Sequence, residues 1–213
     1  MTLLFSFSFL RISVSAQVIW LKGDRSSVAT TIWTDVSGNK HDATAKKEES
    51  PTKTGTLNFN PVMVFDGVND KMIIPYSFEG LSGLTVITVF QSPDTTERNV
   101  WSTENALSRK VLLTTRHITG PDSAIDYYGQ NEKIRVINTV IQNWIGTSVL
   151  SSNASLILGN TSNASGNRLY KGGIAEYIVF DKVLEPMVKL QFDTYLAIKY
   201  GIPLKSNYVS SDE

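Results

Sequence analysis
The chain has 213 residues, and its 20 basic and 20 acidic side chains give a formal net charge of zero. That balance argues against a nucleic-acid or anionic-membrane surface, since each needs a positive excess. At 41% hydrophobic and 19% charged residues it can bury a core, and with no cysteine it has no disulfide, thiolate metal site or cysteine nucleophile.

Residues 1–16 read as a secretory signal. Leu3, Leu4, Phe5, Phe7, Phe9 and Leu10 form an apolar run, and Val14-Ser15-Ala16 places small residues before a cut at Gln17. The competing reading is an edge strand, because Phe5-Ser6-Phe7-Ser8-Phe9 alternates. The run is too short to span a bilayer, and no other segment approaches ~20 apolar residues, so the chain is expected to be secreted or held at a surface without crossing a membrane. The folded part opens with a strand at 18–21. Residues 34–61 read as a long polar passage in which Lys46-Lys47-Glu48-Glu49 is a solvated loop. Strands are expected at 62–65, 72–75, 84–90, 100–102 and 111–115, and near 125–128, 134–138 and 156–158. Turn clusters such as Asp66-Gly67 and Thr119-Gly120-Pro121-Asp122 separate them.

The most informative stretch comes last. Residues 172–181 alternate as a strand, with Ile174, Glu176, Ile178 and Phe180 on one face and Ala175, Tyr177, Val179 and Asp181 on the other. A helix at about 186–200 has both ends marked, by Pro186 in its first turn and by Gly201 with Pro203 beyond. Val188, Phe192, Tyr195, Leu196 and Lys199 recur at helical spacing, so Phe192 and Leu196 are expected to be buried against the body of the fold. The predicted class is all-β: one antiparallel β-sandwich at 17–204 with a single C-terminal α-helix, followed by a polar tail or linker at 205–213.

Three ordered segments carry a resemblance to a known family. They are Trp33-Thr34-Asp35-Val36-Ser37-Gly38-Asn39-Lys40-His41-Asp42-Ala43-Thr44, Asn60-Pro61-Val62-Met63-Val64-Phe65-Asp66-Gly67-Val68-Asn69-Asp70, and the closing strand and helix ending in Leu196-Ala197-Ile198-Lys199-Tyr200-Gly201-Ile202. Together they resemble laminin-G-like, concanavalin A-like jelly-roll domains of bacterial secreted and surface proteins, including adhesin-like proteins exported by type IX secretion. The resemblance implies a jelly roll, and it raises calcium at the sandwich rim, since many such domains bind it there. It leaves function open, because one fold hosts many activities.

A retaining glycosidase needs two carboxyl groups ~5–5.5 Å apart, which on one strand means acids two or four residues apart. Glu176 has no acid at 174 or 178, and Glu97, Glu104 and Asp126 are isolated. His41 and His117 have no Gly-x-Ser-x-Gly elbow or metal-ligand spacing beside them. The expectation is therefore that the chain is not an enzyme. The calcium candidates are Asp35, Asp66 and Asp70, on loops rich in oxygen donors, although Asp-Gly and Gly-Asn pairs are also ordinary turn formers. Sugar platforms need a ring beside amide hydrogen-bonders. Trp101, Tyr127, Tyr128, Trp144 and Tyr170 are the rings in question, with Asn143 adjoining Trp144, although each could equally build the core. Asn153, Asn160 and Asn163 head formal N-glycosylation sequences.

The function expected from sequence is a secreted, non-catalytic recognition module of an adhesin-like protein, binding a glycan or an extracellular protein. The alternatives are an inert spacer in a large exported protein and, further off, a glycoside hydrolase.

Overall fold
The computed structural model describes residues 17–25, 30–78, 81, 83–93, 96–103, 112–115, 118–119, 123–128, 137–143, 155–160 and 168–204. Residues 112, 118–119, 123–128 and 137–143 are described along the backbone only. The segments 1–16 and 205–213, His117 and Trp144 lie outside the described residues.

Two antiparallel sheets and one helix make the fold. Numbered in chain order, the first sheet holds β1 (Ile19–Lys22), β4 (Thr52–Leu57), β5 (Asn60–Asp66), β7 (Gly83–Gln91), β11 (Ser123–Tyr128), β12 (Ile137–Asn143) and β14 (Lys171–Phe180). The second holds β2 (Ile32–Trp33), β3 (Ala43–Thr44), β6 (Met72–Ile74), β8 (Asn99–Thr103), β9 (Leu112–Thr114), β10 (Ile118–Thr119) and β13 (Leu156–Leu158). The first sheet runs β11-β12-β7-β14-β5-β4, with β1 also paired to β14, and the second runs β10-β9-β8-β13-β6-β3-β2. Helix α1 spans Pro186–Tyr200. Among the described residues, no helix is long and apolar enough to cross a membrane.

The apolar residues sort into two clusters, one on each face of the first sheet. Ile19, Leu21, Met63, Phe65, Val86, Phe90, Tyr177 and Val179 meet Trp33, Met72, Ile74, Trp101, Leu156 and Leu158 of the second sheet. On the outer face, Val62, Ile87, Val89, Ile178 and Phe180 are covered by Phe192, Leu196, Ala197 and Tyr200 of α1 and by Ile202. Phe180 and Phe192 meet edge to face with ring centroids 5.0 Å apart. Burying a Leu or Phe stabilises by roughly 1.5–3 kcal/mol, so a few such contacts hold α1 on the sheet. Phe192 and Leu196 are both fully buried, as the helical spacing predicts.

The helix ends where the sequence marks it. Gly201 takes the left-handed conformation (φ 66°) and its N–H donates to Ala197 O, to which Ile202 N also donates (2.8 Å). The carbonyl of Lys199 would be orphaned at this end. It accepts instead from Asn58 Nδ2 (3.0 Å) and Asn60 Nδ2 (2.9 Å), which join the β4–β5 hairpin to the helix.

Three expectations need correction. Residues 34–61 are not a structureless passage, because β3, β4 and the start of β5 lie within them. β4 ends the first sheet, and its Thr-rich sequence has no apolar alternation because an edge strand buries little on either face. The strand expected near 134–138 starts at Ile137 and runs on to Asn143. The alternation of β14 also breaks. Ile174 pairs with Phe90 and Glu176 with Val89, which leaves Ala175 as the extra residue of a bulge. Ile174 then faces the second sheet and Ala175 faces α1, the reverse of a strict alternation. Glu176 keeps the face of Ile178 and Phe180 and points at the helix.

Candidate functional site
Asp35 begins the loop that covers the free edge of β1. Its Oδ1 accepts from Trp20 N (2.8 Å) and Ser37 N (2.9 Å). Its Oδ2 accepts from Ser37 Oγ (2.7 Å) and His41 N (3.0 Å). Val36 N donates to Trp20 O (2.8 Å), and Asn39 Nδ2 reaches Gln17 O and Val18 O (3.1 and 3.0 Å). All four lone-pair sites of the carboxylate are taken by N–H and O–H donors, so this donor set does not fit a calcium ion, which wants those oxygens bare. Asp35 latches its loop to β1.

Asp66 and Asp70 bracket a tight turn at the far end of β5. Asp66 Oδ1 accepts from Val68 N (2.7 Å) and Asn69 N (3.3 Å), and Asp70 Oδ2 accepts from Asp66 N (2.8 Å). Burial, with the neighbouring charge of Asp66 as a smaller cause, raises the Asp70 carboxyl above its ordinary value. Asp66 lies in register with Lys171, whereas Asp35 bridges Leu21, itself in register with Tyr177. The three acids thus sit at two places along β14. Among the described residues, no group of three or more His, Asp or Glu side chains could hold a metal.

The proposed sugar rings are also dispersed. Tyr170 is fully buried, and its hydroxyl lies within hydrogen-bond reach of Gln91 O (2.7 Å) and Gly173 O (3.0 Å). The close approach of Gly172 (φ 151°) makes room for it, since a Cβ there would strike both Gln91 O and the Tyr170 ring. Tyr170 is a core residue with no ring face open to a ligand, and Trp101 is equally buried. Tyr128 pairs with Ile137 at one end of the β11–β12 hairpin, while Asn143 lies one step beyond the Gln142–Ser123 pair at the other. Six residues of strand separate them, roughly 20 Å, so they do not form one site.

The densest chemistry lies where sequence reasoning found a solitary acid. Glu176 is fully buried. Its Oε1 accepts from Lys199 Nζ (2.6 Å), Tyr200 OH (3.0 Å) and Tyr195 OH (3.3 Å), and its Oε2 from Trp20 Nε1 (2.7 Å). Lys199 also reaches Asp24 (3.2 Å). Lys22 donates to Tyr195 OH (3.1 Å) and lies 3.9 Å from the centroid of the Trp20 ring. Burial lowers the Lys22 ammonium below its usual value despite the pull of Glu176. Burial, reinforced by the Glu176 charge, pushes the Tyr195 and Tyr200 phenols well up. Oε1 takes three donors and Oε2 one, all of them from the protein, so Glu176 clamps α1 to β14 and β1. The signal for it was one helical face carrying Tyr195 and Lys199, with Tyr200 next in sequence, opposite the only acid inside β14.

No family model matches the chain, and no curated protein matches it. Solved structures do. A Trypanosoma rangeli sialidase in complex with sialic acid is similar over 88% of this chain and 34% of its own, at 10% identity and a TM-score of 0.50. The same organism's sialidase without a named ligand covers 83% and 32% at 10% identity, with a TM-score of 0.49. Its covalent intermediate with 2,3-difluorosialic acid covers 82% and 32% at 12%, with a TM-score of 0.48. The chain spans about a third of the length of these sialidases, and the likeness is one of fold. It nevertheless corrects the expectation that this chain is not an enzyme: the sialidase solved with sialic acid carries a similar fold over about a third of its length, so the fold occurs within an enzyme. The sequence argument tested acids along a single strand, whereas carboxylates can converge from separate strands.

Proposed function
We propose that this chain is a carbohydrate-directed β-sandwich domain of the concanavalin A-like kind, exported and working as part of a glycan-handling protein. The observation that carries the reading is its fold, two antiparallel sheets under one terminal helix, similar over most of the chain to a third of a sialidase solved with sialic acid. The zero net charge is in keeping with it, since glycan recognition needs rings and amides more than a charged field. The test is a broad glycan array probed with the full chain, alongside assay of the supernatant for released sugar. Concentration-dependent binding to a defined glycan class supports the reading, and release of sugar from that class makes the domain an enzyme upon it. An array without binding or release contradicts it.

A further inference from the structure
The hairpin joining β4 and β5 has a two-residue loop, Asn58-Phe59, closed by the Leu57–Asn60 pair. Both loop residues have positive φ, 45° at Asn58 and 64° at Phe59. Such a turn favours Asn followed by Gly, because a bulky L-residue pays a steric penalty in the left-handed region. Here the glycine position carries a phenylalanine, and the residue is 95% exposed. Phe59 therefore buries nothing and strains the backbone, so the fold gains nothing from it. The turn is nonetheless held firmly, since Asn58 and Asn60 both donate to Lys199 O at the end of α1.

We propose that Phe59 is a stacking platform for the apolar face of a neutral pyranose, with the Oδ1 atoms of Asn58 and Asn60 accepting from the sugar's hydroxyls. The proposal rests on the carbohydrate reading above and gives it a site. Asn58 donates to Lys199 O, and Asn60 donates to Lys199 O and to Asn58 O (2.8 Å), which leaves their carbonyl oxygens for a ligand, the pairing of ring and amide that sugar recognition uses. The sugar class follows from the charges. An anionic sugar needs a cation beside the ring, and Lys199, whose carbonyl holds the two amides, spends its ammonium on Glu176 (2.6 Å) and Asp24 (3.2 Å).

The experiment titrates the full chain with methyl β-D-galactopyranoside, methyl β-D-glucopyranoside and methyl α-sialoside, followed by protein-observed NMR. The parent protein is expected to bind a neutral glycoside, Phe59→Tyr to keep that binding, and Phe59→Gly to weaken it at least tenfold while Tm stays the same or rises, since Asn-Gly suits the turn. Binding by Phe59→Gly equal to the parent's overturns the site and leaves the carbohydrate reading standing. No binding of any sugar by the parent on this panel or the array overturns both. A lower Tm in Phe59→Gly would assign the ring to the fold, self-association lost in that variant would assign it to a second copy of the chain, and preference for the sialoside would refute the neutral-sugar class; each overturns the proposal.

Discussion

Replacing Glu176 with Gln keeps the shape of the side chain and removes its charge. The carboxylate receives four donors, three from α1 and one from Trp20. With its one oxygen toward the helix, glutamine would set its NH2 against the Trp20 indole N–H, donor to donor. An unsatisfied buried donor costs ~1–3 kcal/mol, and removing one partner of a buried ion pair costs ~3–5 kcal/mol. Lys199 keeps Asp24 at 3.2 Å and a side chain 13% exposed, which places Glu176→Gln near the lower end, ~3–4 kcal/mol. For a chain of this size that is a fall in Tm of roughly 6–16 °C. The assay is urea unfolding followed by tryptophan fluorescence, with Lys199→Met and the double variant completing a cycle. The two changes should couple by ~1–3 kcal/mol. A loss below ~1 kcal/mol for Glu176→Gln, or strictly additive changes, would refute the clamp.

Four further outcomes follow. Leu196→Ala should cost ~2–5 kcal/mol through lost burial and the cavity left behind, and an unchanged urea midpoint would mean that α1 is not docked. Tyr170→Phe should destabilise by ~1–3 kcal/mol, by removing the hydroxyl from Gln91 O and Gly173 O, and should leave glycan affinity alone; an affinity change would return the ring to the ligand site. Burial raises the phenols of Tyr170, Tyr177, Tyr195 and Tyr200, so the folded chain holds protons that the unfolded chain releases near pH 10. Their contribution is complete below about pH 10 and lost above it, at ~1.4 kcal/mol per pH unit for each phenol. Lys22, lowered by burial, works the other way as a single group, so a urea midpoint that rises above pH 10 would contradict the balance. Calcium at millimolar concentration and chelator should give the same Tm, because the Asp35 carboxylate is filled by donors, and a calcium-dependent rise would contradict that reading.

The end of the chain was the most legible part of the sequence. Pro186, Gly201 and the spacing of Phe192 and Leu196 are local signals, and α1 and its buried face follow them. β4 was not legible, because Thr52-Lys53-Thr54-Gly55-Thr56 lies at a sheet edge where no apolar period is required. The bulge at Ala175 was not legible either, since an extra residue in a run of apolar side chains leaves the composition unchanged. Glu176 looked alone because its partners lie 23 and 24 residues onward and 156 residues back, a tertiary pairing that spacing along one strand cannot reveal. Among the candidate sugar residues, Tyr170 misled because an aromatic ring beside polar residues reads alike in a core and in a binding site. Nothing in the sequence around Phe59 marks it, and only its exposure and backbone conformation set it apart.

The central claim is that this sandwich engages carbohydrate. Saturation-transfer difference NMR on the unlabelled full chain, with a mixed panel of neutral and anionic methyl glycosides, reads that contact without presupposing a site or a reaction. The account predicts saturation on the ring protons of at least one pyranose, strongest on the face that would stack on an aromatic ring. Saturation on none of the glycosides, with the protein folded throughout, would contradict it.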